Sequence, residues 1–100
     1  MASSVRKRDG SIVPFDLSKI RDAMFLANIR IADERMTEEQ LQRLAARVGD
    51  TWPATMIPSV EEIQDRVEET LIAAGYAQTA KAYILYRAER QKVRDRKSVV

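Results

Sequence analysis

The sequence contains no cysteine and no histidine. Those two absences remove the usual zinc ligand sets, thiolate nucleophiles, the Ser-His-Asp triad and any histidine proton shuttle, and with them most enzyme chemistries. No disulfide can staple the chain, so stability must come from packing a modest core. There are three glycines, and they form neither a Walker-type loop nor a G-x-G-x-x-G fingerprint, so nucleotide binding would need another architecture. No apolar run approaches the roughly 20 residues of a membrane helix, and no N-terminal apolar core resembles a signal peptide. A cytoplasmic location without membrane contact is the expectation.

What is present suits one globular domain: 100 residues, 45% apolar and 32% charged. The formal net charge of +2 is unevenly spread. Arg6, Lys7, Arg8, Arg87, Arg90, Lys92, Arg94, Arg96 and Lys97 are nine of the seventeen cations, offset locally by Asp9, Glu89 and Asp95. The two ends together carry +6, and residues 10–86 carry −4. If the termini meet in the fold, one basic pole results, suited to phosphates or polyanions.

Asp9-Gly10 separates two short β-prone runs, Ser4-Val5-Arg6-Lys7 and Ser11-Ile12-Val13. This predicts a hairpin closed by a type I′ turn. Strand alternation would send Arg6 and Arg8 to one face and Lys7 to the other, so the three cations cannot all reach one ligand. Asp16 then serves as N-cap of a first helix over about 17–30, with the apolar stripe Leu17, Ile20, Met24, Ala27 and Ile31. A capping box at Thr37-x-x-Gln40 opens a second helix buried through Leu41, Leu44, Ala45 and Val48. The prolines at 53 and 58 mark extended chain, with room for a third short strand near Thr55–Ile57. Ser59-x-x-Glu62 opens a third helix facing inward through Val60, Ile63, Val67, Leu71 and Ala74, ended by Gly75. A fourth begins near Tyr76, presents Tyr76, Ala80, Tyr83, Ile84 and Tyr86, and turns basic. Residues 97–100 carry no periodicity and are expected to fray, leaving a domain over 1–96.

Lys7 and Arg8 can be solvated edge-strand cations or a phosphate clamp of point charge and guanidinium fork. The start of the first helix adds a second anion-binding feature that Lys19 can reach. Arg87 and Arg90 either complement the last helix dipole or close the same site. Tyr83, Tyr86 and Trp52 read as packing aromatics before ligand platforms. The acidic run Glu61, Glu62, Asp65, Glu68 and Glu69 reads as an exposed helix face before an acid/base or magnesium site.

Three motifs occur in order: Val5-x-Lys7-Arg8-Asp9-Gly10-Ser11-Ile12-Val13-Pro14-Phe15-Asp16-x-x-Lys19-Ile20; Ile57-x-Ser59-Val60-Glu61-Glu62-Ile63-Gln64-Asp65-x-Val67-Glu68; and Ala80-x-Ala82-Tyr83-Ile84-x-Tyr86-Arg87-x-Glu89-Arg90. Together, over residues 4–92, they resemble the ATP-cone domain, the regulatory nucleotide-binding module of ribonucleotide reductases and of the repressor of their genes. The resemblance implies an α+β fold, a four-helix bundle capped by a small N-terminal hairpin or three-stranded sheet. It implies ATP or dATP as effector, with Mg²⁺, and no catalysis by the domain itself. Nucleotide state would act through homo-oligomerisation on reductase subunits or on the remainder of a parent chain, the domain being either part of a longer protein or free-standing. Nucleic-acid binding, as in the repressor, is the alternative and is not expected of this domain alone. By position, Lys7, Arg8 and Lys19 match phosphate-site cations of the family. Asp16, Ile20, Val60 and Gln64 match residues near the nucleotide, and Arg87 and Arg90 are candidates for the phosphate end. Gln64 stands where some members carry histidine, and Val13 where some reductases carry an acid.

Overall fold

A computed structural model describes the backbone of residues 1–99 and the side chains of residues 1–90. The chain opens with β1 (Ser4–Arg6) and β2 (Ile12–Pro14), an antiparallel pair in register Val5 opposite Val13. Four helices follow: α1 (Leu17–Asn28), α2 (Glu38–Gly49), α3 (Val60–Ala73) and α4 (Ala77–Val99). A single 3-10 turn at Ala32–Glu34 joins α1 to α2. The architecture is α+β, four packed helices with a small hairpin at one end. Of the expected fraying tail, residues 97–99 continue α4 in backbone, while their side chains and Val100 lie outside the described residues.

The hairpin turn differs from the expected type I′. Gly10 has φ +88°, but among the described residues no other has positive φ except Gly75, so Asp9 does not occupy a type I′ position. Instead Gly10 N–H donates to the Lys7 carbonyl at 3.0 Å, and Lys7 N–H donates to the Ser11 carbonyl at 2.8 Å. This is a three-residue loop, Arg8-Asp9-Gly10, with glycine taking the left-handed position of a bulge. The Asp9 carboxylate accepts from Ser11 N–H at 2.9 Å and Ser11 Oγ–H at 2.6 Å, which fixes the loop. The loop releases Lys7 and Arg8 from the strand alternation expected of them.

The third strand is absent from residues 55–57. Met56 N–H closes a turn on the Pro53 carbonyl at 3.0 Å, and Pro58 has no N–H to donate, so only one parallel bridge forms, between Arg6 and Ser59. Arg6 N–H donates to the Pro58 carbonyl at 2.9 Å. That bond moors β1 to the start of α3.

Both expected capping boxes are made, Thr37 with Gln40 and Ser59 with Glu62. Gly75 at φ +93° ends α3 in a Schellman motif, with Tyr76 N–H on the Leu71 carbonyl at 2.8 Å and Gly75 N–H on the Ile72 carbonyl at 3.0 Å. The helices pack as a ring, α1 on α2 and α4, and α3 on α2 and α4. Met24, Leu41, Val48, Val67 and Leu71 are sealed in the core, with Trp52 buried as a packing anchor. Leu17, Ile31 and Val60 are half-buried, and Ile84, expected inward, is exposed while Ala82 takes the buried place.

One polar cluster is buried among α1, the 3-10 turn and α4. Asn28 Nδ2 donates to the Glu34 carbonyl at 2.8 Å and to Thr79 Oγ1 at 3.1 Å, and its Oδ1 accepts from Met36 N–H at 2.9 Å. Glu34 in turn accepts from Thr79 N–H at 2.8 Å and Gln78 N–H at 3.2 Å, capping α4 from a distant position in the chain. Burial raises the Glu34 pKa, but the bonds from Thr79 and Gln78 outweigh it and hold it below the ordinary 4.5.

Candidate nucleotide site

A cavity of about 760 Å³ opens between the hairpin turn and three helices. The turn contributes Lys7, Arg8 and Asp9; α1 contributes Lys19, Asp22, Ala23 and Leu26; α3 contributes Val60 and Gln64; α4 contributes Tyr83, Tyr86, Arg87 and Arg90. Each helical set follows the three-and-four spacing of a single face. Seven of the sequence-derived candidates, Lys7, Arg8, Lys19, Val60, Gln64, Arg87 and Arg90, line this one space. Arg6 does not.

Asp16 and Ile20 are placed elsewhere. Asp16 is the N-cap of α1, accepting from Ser18 N–H at 3.0 Å and Ser18 Oγ–H at 2.6 Å. The Ser18 hydroxyl, then the backbone amides and Lys19, hold its carboxyl below the usual range despite some desolvation. The chain's own carboxylate thus caps the α1 N-terminus, while Lys19 of its first turn lies on the cavity wall. Val60, the first residue of α3, also lies on the cavity wall, behind a helix start closed by the Ser59–Glu62 capping box. Ile20 is 9% exposed and belongs to the core.

The sequence reading missed Asp9, Asp22, Ala23 and Leu26, and it treated Tyr83 and Tyr86 as packing groups. A signal existed for the α1 set: Lys19, Asp22, Ala23 and Leu26 form a stripe beside the buried one. Tyr83 proves to be both core and wall. Burial pushes its phenol up to about 12, so it presents a neutral O–H.

The cations differ in their surroundings. Arg8 Nε lies 2.7 Å from Glu61 Oε1, a half-exposed pair. Arg87 donates to Glu68 in a drier pair and has Asp65 Oδ1 at 3.7 Å. The Arg90 guanidinium stands 5.9 Å from the Tyr86 ring centroid, a cation–π contact. Gln64 Oε1 is buried without a hydrogen-bond partner. An orphaned acceptor carries a desolvation penalty that a ligand donor would relieve. Five cations from hairpin, α1 and α4 beside an apolar and aromatic wall are chemistry suited to an anionic ligand with a flat, hydrogen-bonding part.

The ATP cone domain model matches residues 3–92, nearly the whole chain. The chain belongs to the ATP-cone family. The cone is 38% identical over 107 residues to the vitamin B12-dependent ribonucleoside-diphosphate reductase of Thermoplasma acidophilum, covering 100% of this chain and 13% of that protein. It is 34% identical over 97 residues to the anaerobic ribonucleoside-triphosphate reductase of Escherichia coli, covering 97% and 13%. With the ribonucleoside-diphosphate reductase subunit alpha of Chlamydia trachomatis the identity is 36% over 103 residues, covering 92% and 10%. The cone thus spans between about a tenth and an eighth of the length of these relatives. No helix among its described residues is long and apolar enough to cross a membrane.

Proposed function

We propose that the cavity is a regulatory adenine nucleotide site that takes ATP or dATP as effector. The observation that carries this reading is the convergence of Lys7, Arg8, Lys19, Arg87 and Arg90, drawn from three elements, on one cavity of about 760 Å³. A triphosphate needs several cations arriving from different directions, and one strand or helix cannot supply them. The remaining wall fits a nucleoside. Ala23, Leu26 and Val60 offer apolar contact, Tyr83 and Tyr86 offer aromatic surface, and the unpartnered Gln64 Oε1 offers an acceptor for the adenine amino group. Mg²⁺ would ride on the phosphates, since no cluster of three carboxylates suited to a metal occurs among the described residues.

A bound nucleotide undergoes no reaction here. Its effect is on association: ATP and dATP favour different oligomers, and through them set the activity of a ribonucleotide reductase, either the remainder of a longer chain or a partner subunit. Isothermal calorimetry with Mg-ATP and Mg-dATP at up to millimolar concentration tests the binding step. Saturable heat with about one-to-one stoichiometry or higher is expected, and no heat together with no thermal stabilisation would end the reading. The basic ends and a pI of about 9.2 favour a second reading, a nucleic-acid-binding module. It predicts nucleotide-independent duplex binding that weakens steeply with salt.

A further inference from the structure

Glu61, Asp65 and Glu68 stand at i, i+4 and i+7 of α3, on one face of the helix. Two of the five cavity cations are bound to that face. Arg8 reaches it from the hairpin turn, with Nε 2.7 Å from Glu61 Oε1. Arg87 reaches it from α4, donating to Glu68 and standing 3.7 Å from Asp65. Both arginines also line the cavity. The same donors therefore have two sets of acceptors, carboxylates belonging to the protein and anionic oxygens of whatever enters.

We propose that the α3 carboxylate row is a built-in competitor for the ligand's phosphates, with Glu61 as the exchangeable member that holds Arg8 at the cavity until a polyphosphate displaces it. The proposal deepens the nucleotide reading and rests on its premise that the cavity receives a polyanion. The two pairs are unequal. The side chains of Arg8 and Glu61 are 43% and 48% exposed, whereas those of Arg87 and Glu68 are 25% and 22% exposed. Exposed ion pairs hold weakly, so Arg8 exchanges readily, while the drier pair keeps Arg87 fixed as a wall. The consequence is selectivity by charge. A single phosphate offers Arg8 little more than Glu61 already does, whereas a triphosphate engages Lys7, Lys19 and Arg90 at the same time and draws Arg8 away.

The test is a double-mutant cycle read by calorimetry with two probes, ATP and inorganic tripolyphosphate, on wild type, Glu61→Gln, Arg8→Ala and the double variant. Glu61→Gln should tighten both probes by about twofold to fivefold, the scale of an exposed ion pair. In the Arg8→Ala background the gain should fall below about 1.5-fold, because the carboxylate acts through that arginine. An equal gain in both backgrounds would mean that Glu61 acts only as a diffuse negative field, and would overturn the proposal. So would the absence of any gain. Tripolyphosphate binding without ATP binding would defeat the nucleotide reading while the cycle still decides the competition. If neither probe binds any of the four proteins, both ideas fall.

Discussion

Lys19 and Arg6 are both exposed cations near the start of the chain, yet they sit in different surroundings. Lys19 stands one turn into α1 on the cavity wall, and Arg6 ends β1 with its backbone bonded to Pro58 and its side chain outside the cavity. Lys19→Ala should weaken ATP binding by about tenfold to a hundredfold, the scale of a lost charge-assisted contact. Arg6→Ala should change it by less than about twofold, because an exposed charge outside the cavity makes no direct contact there and is weakened by salt. Calorimetric titration of both variants checks the pair, and an equal loss would mean that net charge, rather than the cavity, attracts the nucleotide. Asp16 illustrates why residue-level reading has a limit. The sequence marks it as the N-cap of α1 and, by resemblance, as a residue near the nucleotide, and Ser18 two positions later supplies the two donors of the cap. The cap is a contact made within the chain itself, between neighbours two positions apart.

At the scale of elements, the capping residues and hydrophobic stripes made the four helices legible. Both capping boxes and the terminal glycine of α3 specify their own backbone bonds, independent of the rest of the fold. The hairpin was legible as a hairpin but not as a turn type, because Asp-Gly serves both a two-residue loop and a three-residue loop with a bulge. That choice decides where Arg8 points. The third strand does not form for a reason tertiary structure supplies, since β1 pairs with the residues before α3 through one bridge, Arg6 with Ser59, and one bond, Arg6 N–H to the Pro58 carbonyl. Least visible of all was the capping of α4 by Glu34, whose partners Gln78 and Thr79 lie far along the chain. It yields a pH prediction. Folding lowers the Glu34 pKa below 4.5, so its contribution to stability is present above that value and is lost as pH falls through the lowered one. Glu34→Gln should therefore melt below wild type at about pH 7, and the gap should narrow toward about pH 3 as the wild-type carboxyl protonates. Thermal melts followed by circular dichroism at the two pH values check it, and a gap that stays constant would assign the cap no charge-dependent part.

For the whole molecule, the charge pattern acquires a meaning that neither end has separately. The hairpin turn and Arg87 and Arg90 of α4 come together across the cavity, and the acidic α3 face lies against Arg8 and Arg87. Of the cations at the two ends of the sequence, Lys7, Arg8, Arg87 and Arg90 thus line one cavity, two of them with carboxylate partners, while the side chains of Lys92, Arg94, Arg96 and Lys97 lie outside the described residues. The central claim is that an adenine nucleotide occupies this cavity and no other part of the surface. The most direct measurement is a two-dimensional amide NMR titration of the isotopically labelled chain with Mg-ATP. The account predicts saturable shifts concentrated at Lys7–Gly10, Lys19–Leu26, Val60–Gln64 and Tyr83–Arg90, with little change along α2. Shifts centred instead on the second cavity, bordered by Arg47, Thr51 and Arg66, or no shifts at millimolar ATP, would contradict it.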